Sequence, residues 1–108
     1  MAEPTKKGIA FEDLMYLSKQ DAIHKYGTPH FYEQFILNGL QNRFRIGLNN
    51  VFTKEELASK SVLIDEVTWE KDKDTWVTTW YQITETEAIP KNTCVWKKGT
   101  DFFYLNSK

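Results

Sequence analysis

The chain has 108 residues, of which 41% are hydrophobic and 27% charged, and its formal net charge is −1. This length supplies one hydrophobic core, so we expect a single domain over residues 9–108 after a flexible N-terminal arm, residues 1–8. The near-zero net charge excludes a general electrostatic attraction to nucleic acid or to anionic membranes. Neither a signal peptide nor an apolar membrane span is found, so we expect a cytoplasmic protein, or a periplasmic one if a leader has been removed.

Two short helices are predicted near the N-terminus. Phe11 and the apolar residues that follow it, up to Met15, form one stripe of a short first helix. Ser18 begins a capping box that predicts a second helix over about residues 19–26. Gly27, with a proline close behind it, is typical of a helix end, so the start and stop signals of this helix agree.

Residues 30–48 allow two interpretations. The spacing of their apolar residues roughly suits a helix. Against a helix, Asn38 and Gly39 form a strong two-residue turn signal, with aromatic residues before it and an alternating apolar pattern from Phe44 to Leu48 after it. We therefore favour a β-hairpin in this segment.

The following segment is predicted to hold one more helix and a second hairpin. Thr53 begins another capping box, which predicts a short helix over about residues 54–60. Two β-rich runs, residues 62–70 and 75–83, are separated by the polar residues 71–74.

The register of this second hairpin decides where three of the four tryptophans lie. A four-residue loop would place Trp69 opposite Trp76, with Trp80 further along the same face. A slip of one residue exchanges the two faces, so the sequence leaves open which face packs on the helices. Either way, one face carries more aromatic surface than a solvated face requires.

The C-terminal part is predicted to contain a polar connection, residues 85–92, and a strand, residues 93–98. After a turn, the apolar residues 102–105 form a last strand or pack against the sheet. The expected fold is therefore α+β: an N-terminal helix pair on one face of an antiparallel sheet of about four to five strands, with one extra short helix.

Residue types that carry catalysis or bind metals are few. His24 and His30 show no metal-ligand spacing, and the single cysteine, Cys94, is expected to be a small core residue of a strand. Asp72 and Asp74 resemble the start of a calcium loop, but the glycine that such a loop needs is missing. Phosphate-binding and nucleophile motifs are also missing from the sequence. We therefore expect no catalytic residues, no metal and no cofactor.

One resemblance to a known fold group is present. Residues 17–30, LSKQDAIHKYGTPH, followed by the hairpin over residues 62–83, resemble a module of the β-lactamase-inhibitor-protein fold, which small outer-membrane assembly lipoproteins share. The resemblance implies a helix-turn-helix on one face of a curved sheet and a partner protein bound to the opposite face, which is often aromatic. The chain departs from this group in lacking the lipoprotein signal and in adding the helix after Thr53.

These features predict a non-enzymatic bacterial protein-binding module that inhibits or neutralises another protein, such as a toxin or an enzyme, as an immunity protein does. Aromatic anchors contribute much of the binding energy at such interfaces, and neighbouring charges speed association. The expected contact residues are Asp65, Glu66, Trp69, Glu70, Trp76, Trp80, Tyr81 and Trp96.

Two other functions remain open from the sequence. One is an envelope assembly or scaffold factor of the lipoprotein type. The other is a small ligand-binding protein or enzyme with a pocket lined by Tyr16, Tyr26, Phe31 or Phe44. Nucleic acid and a membrane span are not expected, and the oligomeric state is left open.

Overall fold

The computed structural model describes residues 11–37, 46–59 and 61–99. The helices within these residues are α1 (Phe11–Leu14), α2 (Lys19–Tyr26) and α3 (Lys54–Ser59), with a 3-10 turn at Ile46–Asn50. The strands are β1 (Phe31–Ile36), β2 (Leu63–Asp72), β3 (Thr75–Ile83) and β4 (Ala88–Lys97). They form an antiparallel sheet in the order β1-β2-β3-β4, so each strand pairs with its neighbour in the sequence. The α+β class is confirmed.

Both predicted N-caps are confirmed. Ser18 Oγ accepts a hydrogen bond from the backbone N–H of Asp21 at 3.2 Å. Thr53 and Glu56 form a reciprocal capping box, with donor–acceptor distances of 2.9 and 3.1 Å. Gly27 ends α2 with φ of 95°, a value that few residues other than glycine adopt. Of the predicted helix pair, however, only α2 is longer than a single turn, because α1 has four residues.

The predicted hairpin over residues 30–48 is confirmed only in its first strand. β1 pairs with β2. The prediction of a strand through Leu48 is wrong, because Ile46–Asn50 is a 3-10 turn that buries Leu48 in the core. The Asn38–Gly39 turn and Phe44 lie outside the described residues.

β4 begins earlier than predicted. Residues 88–92 belong to the strand instead of to a polar connection, although they include Pro90. A proline lacks the N–H that a central strand needs, but a strand at the edge of a sheet tolerates it. The predicted apolar end, residues 102–105, lies outside the described residues.

The β2–β3 hairpin has a different register from the predicted one. Its loop contains only residues 73 and 74, and a β-bulge at Lys71 adds one residue to β2. Trp69 therefore lies opposite Val77, and Trp76 lies opposite Glu70. Because side chains alternate between faces along a strand, Trp69 and Trp76 project from opposite faces of the sheet. The predicted pairing of Trp69 with Trp76 is wrong.

The two faces of the sheet pack against different parts of the chain. On one face, which we call the helix face, α1 and α2 cover the sheet through a core cluster of Leu14, Ala22, Tyr26, Val67, Trp69, Val77 and Tyr81. On the opposite face, the 3-10 turn and the residues around it cover a second cluster of Leu37, Leu48, Phe52, Val62, Ile64 and Trp80. This second cover lies at the end of the sheet away from the β2–β3 turn.

Candidate functional site

A group of aromatic rings remains at the surface near the β2–β3 turn, on the face opposite the helices. We define the tryptophan patch as His30, Phe31, Trp76 and Trp96, together with Glu70 and Lys98. Trp76 is at its centre: its ring centroid lies 5.0 Å from that of Phe31, 5.4 Å from that of His30 and 6.2 Å from that of Trp96. Phe31 is 56% exposed and both indoles are half-buried. The patch is thus a packed cluster of rings with one side open.

The sheet brings these rings together from strands that are distant in sequence. Trp76 of β3 and Trp96 of β4 are directly opposite each other in the register, which is the arrangement in which cross-strand side chains interact most closely. Trp96 Nε1 donates a hydrogen bond to Thr78 Oγ1 at 2.9 Å. The Thr78 hydroxyl is in turn 2.6 Å from that of Thr68. The Trp96 ring is therefore fixed in orientation by a buried polar contact.

The charged groups of the patch neutralise each other. Lys98 Nζ lies 4.6 Å above the Trp76 ring and forms an ion pair with the Glu70 carboxylate. His30 Nε2 lies 3.8 Å from the same carboxylate. The hydrogen bond from Lys98 is the largest cause that lowers the pKa of Glu70, and the electrostatic interactions with Lys98 and His30 lower it further. The carboxylate therefore stays ionised and holds the lysine over the ring.

Three of the predicted contact residues, Glu70, Trp76 and Trp96, meet in this patch. Three others, Trp69, Trp80 and Tyr81, are at most 1% exposed and belong to the core. The expectation that these three form a contact surface is corrected, because the register places Trp69 and Tyr81 under the helices and the cover of the opposite face buries Trp80.

The indole N–H groups of the two buried tryptophans, Trp69 and Trp80, donate hydrogen bonds inside the fold. Trp69 Nε1 donates to the backbone carbonyl of Gly27 at 2.9 Å, which ties β2 to the end of α2. Trp80 Nε1 donates to Glu66 Oε1 at 2.8 Å. Glu66, another predicted contact residue, is half-buried, and its carboxylate accepts this bond.

The last predicted contact residue, Asp65, is buried on the helix face with 2% exposure. Its carboxylate accepts three hydrogen bonds, from Lys19 Nζ at 2.7 Å, the Tyr32 hydroxyl at 3.0 Å and the Gln34 amide at 2.7 Å. A buried carboxylate with three donors is typical of an internal polar link. The prediction of Asp65 at a contact surface is therefore wrong: it connects α2 to β1 and β2.

Sequence reasoning missed His30, Phe31 and Lys98 as members of the patch. Phe31 reaches it because β1 pairs with β2, which places Phe31 opposite Thr68. A correct pairing of β1 was the only signal that could have found it, since nothing in the local pattern around Phe31 specifies its partner strand.

The three described residues that were proposed for an internal pocket, Tyr16, Tyr26 and Phe31, do not meet. Tyr16 is 84% exposed, Tyr26 is in the core of the helix face, and Phe31 is in the tryptophan patch on the other face. Phe44 lies outside the described residues. A cavity of about 330 Å³ does lie between α2 and the β3–β4 connection, lined by Ser18, Lys19, Gln20, Ile23, Thr86, Glu87 and Ala88.

Neither a metal site nor a membrane-spanning helix is found in the part of the chain that the structure describes. Among those residues, no cluster of three or more histidine, cysteine or acidic side chains is arranged to hold a metal ion. Likewise, none of the described helices combines the length and apolarity needed to cross a bilayer. Cys94 is half-buried in β4, and burial raises the pKa of its thiol.

Comparison of the chain with models of known protein families, with curated proteins and with solved structures finds no match.

Proposed function

We propose that this protein is a non-enzymatic binding module that attaches to another protein through the tryptophan patch and inhibits or neutralises that partner. The observation that carries the proposal is the clustering of Trp76 with three further rings on an open part of the sheet. Exposed aromatic clusters of this kind are costly in water and typical of protein contact sites.

The rings of the patch suit a binding role because their orientation is set before binding. Trp96 is fixed by its hydrogen bond to Thr78, and Trp76 is held between neighbouring rings and Lys98. A side chain that is already ordered loses little conformational entropy when a partner covers it. Tryptophan anchors at the centre of an interface contribute about 2–4 kcal/mol each.

The charges around the patch favour a protein over a nucleic acid. Lys98 is paired with Glu70, so its charge is already neutralised and is not offered to a phosphate backbone. A single-stranded nucleic acid site needs stacking rings and unpaired basic groups together. An apolar protein surface needs only the rings, and it leaves the ion pair at the edge of the contact.

The mode of action that we propose is supported by the position of the patch on an open part of the sheet. A shallow patch on a sheet acts by covering part of its partner, as an inhibitor or immunity protein covers a toxin or an enzyme. The resemblance to the β-lactamase-inhibitor-protein fold supports the same mode, since that group also binds proteins on the sheet face opposite its helices. The aromatic contact residues of this proposal are Phe31, Trp76 and Trp96.

The proposal can be tested by site-specific photocrosslinking in the native cell. A photoreactive phenylalanine analogue replaces Phe31, which is exposed in the patch, or Tyr16, which is 84% exposed on the helix side of the molecule. We expect a discrete crosslinked protein from position 31 and not from position 16. The crosslinked protein is then purified and titrated against wild type, Trp76→Ala and Tyr16→Ala.

Trp76→Ala should weaken the binding of that protein at least about 10-fold, whereas Tyr16→Ala should leave it unchanged. Circular dichroism of each variant establishes that it is folded. Equal affinity of all three proteins would remove the patch as the binding site. Trp80→Ala is unsuitable for this test because Trp80 is in the core.

A further inference from the structure

Lys98 occupies a binding site for a cation within the tryptophan patch. Its ammonium group lies 4.6 Å above the centroid of the Trp76 ring and forms an ion pair with the Glu70 carboxylate. A cation within about 6 Å of a ring centroid is attracted by the negative face of the ring, and tryptophan attracts it most strongly. The ring and the carboxylate therefore bind a positive charge together.

The site is built by the sheet and not by the lysine that fills it. Glu70 of β2 and Trp76 of β3 are directly opposite each other in the register, so their side chains lie side by side on one face. His30 and Phe31 contact the Trp76 ring at interplanar angles of 62° and 65°, which fixes its orientation. Removal of the Lys98 side chain should therefore leave the ring and the carboxylate in place.

Lys98 is held in the site by contacts that water weakens. The side chains of Lys98 and Glu70 are 27% and 38% exposed. Ion pairs that water reaches contribute little free energy, because water screens the charges and two long side chains must be ordered. The backbone of Lys98 is attached separately, through a hydrogen bond of 2.9 Å from its N–H to the carbonyl of Asp74. The ammonium group can therefore leave the site while the backbone stays in place.

We propose that the partner protein places an arginine side chain in this site, in exchange for Lys98. The guanidinium group then stacks on the Trp76 ring and pairs with the Glu70 carboxylate, and the Lys98 ammonium moves into water. This inference rests on the binding function proposed above and names the chemistry of the partner. It adds a charged contact at the edge of the aromatic one.

Only a better cation than lysine gains free energy from this exchange. An incoming lysine would make the same two contacts that Lys98 already makes. A guanidinium group is planar, is less strongly hydrated than an ammonium, and donates two parallel hydrogen bonds to one carboxylate. Its contacts with Glu70 and Trp76 are therefore stronger than those of Lys98, and this difference drives the exchange.

Lys98 is consequently an internal competitor of the partner. The apparent affinity for an arginine is reduced by the fraction of molecules in which Lys98 leaves the site open. Replacing Lys98 with an uncharged residue should therefore strengthen binding, whereas a variant that damages the patch weakens it. In a purely apolar contact, loss of the lysine would not strengthen binding.

Nuclear magnetic resonance titration with a capped arginine, N-acetyl-L-arginine methylamide, tests the site without the partner. The matching citrulline compound, which has nearly the same shape and no charge, is the control ligand. We expect the arginine probe to shift the indole N–H signal of Trp76 in Lys98→Met, with a Kd on the order of 10 mM. Binding to wild type and to Lys97→Met should be about 5- to 10-fold weaker. Lys97 is the matched control because it projects from the other face of β4 than Trp96 does.

The two parts of the site can be removed separately. Adding Glu70→Gln or Trp76→Ala to Lys98→Met should abolish binding of the arginine probe, and circular dichroism establishes that each variant is folded. The inference is overturned if Lys98→Met does not bind the probe, or if it binds the citrulline compound equally well. Equal binding of the arginine probe by wild type and Lys98→Met would also overturn it.

The protein crosslinked at position 31 provides the second test. Its affinity should increase about 5- to 10-fold with Lys98→Met, stay unchanged with Lys97→Met, and fall at least about 10-fold with Glu70→Gln. If Trp76→Ala weakens this binding and Lys98→Met does not strengthen it, the arginine exchange is overturned and the binding function stands. If Trp76→Ala has no effect, the binding function itself is overturned.

Discussion

Trp69 and Trp76 lie on neighbouring strands of the same hairpin, yet one is core and the other is surface. Trp69 is fully buried under α2, with its Nε1 bonded to the Gly27 carbonyl. Trp76 is half-buried on the opposite face, among the rings of the tryptophan patch. The same residue type thus stabilises the fold at one position and is available for binding at the other.

A single residue of β2 produces this difference. Without the bulge at Lys71, the residues of β2 before it would shift by one position relative to β3, and Trp69 would lie opposite Thr78, on the same face as Trp76. The bulge keeps the apolar side chains Val67 and Trp69 on the face that the helices cover. The division of the tryptophans between core and surface therefore depends on the hairpin's local geometry as well as on its composition.

The largest expected effect comes from exchanging the two indoles for alanine in separate variants. Trp69→Ala should lower the free energy of unfolding by about 3–5 kcal/mol, because it leaves a cavity in the core of the helix face. Trp76→Ala should lower it by about 1 kcal/mol or less, since its ring is already partly in water. Urea denaturation measures both values. Equal losses in the two variants would contradict the assignment of one indole to the core and the other to the surface.

The helix face and the tryptophan patch each contain one carboxylate that forms an ion pair, and comparing the two should show a smaller effect on stability. Asp65 is buried and accepts hydrogen bonds from Lys19, Tyr32 and Gln34, whereas Glu70 pairs with Lys98 at the surface. Asp65→Asn should cost about 2–3 kcal/mol of stability, because it keeps the volume but leaves a partly buried lysine without its counter-charge.

Glu70→Gln is the matched control for this change, and its effect on stability should be much smaller because water screens the pair. Both variants are compared with wild type by chemical denaturation at pH 7. If Glu70→Gln lowers the free energy of unfolding as much as Asp65→Asn does, the burial of a carboxylate does not determine how much it contributes to stability.

The bulge itself can be tested by deletion. Removing Lys71 should leave the pairing of Glu70 with Trp76 and the loop of residues 73 and 74 intact, at a cost of about 1 kcal/mol or less. Removing Lys73 instead shortens the loop below two residues and forces a new register, which should cost more. Near-UV circular dichroism of the tryptophans and urea denaturation measure the two outcomes. A new tryptophan spectrum on deletion of Lys71 would show that the bulge lies elsewhere.

The sequence predicted the local elements of this fold better than their pairing. The caps at Ser18 and Thr53 were predictable because each depends on residues only three positions apart. The register around Trp69 was not, since one extra residue in a polar segment leaves no mark on the hydrophobic pattern. For the same reason, the sequence identified Trp76 and Trp96 as candidates but could not separate them from the buried Trp80.

The smallest expected effect is the pH dependence of the ion pair in the patch. The hydrogen bond from Lys98 lowers the pKa of Glu70 in the folded protein, so the ionised carboxylate favours folding. Its contribution is therefore complete above the ordinary pKa of glutamate and is lost as the pH falls through the lowered value. The difference in Tm between wild type and Glu70→Gln should be largest near pH 7 and disappear at an acid pH below the lowered pKa of Glu70. Lys98→Met should remove most of this dependence, and so should about 1 M salt. A Tm difference that stays constant between these pH values would mean that Glu70 stabilises the patch by packing and not by charge.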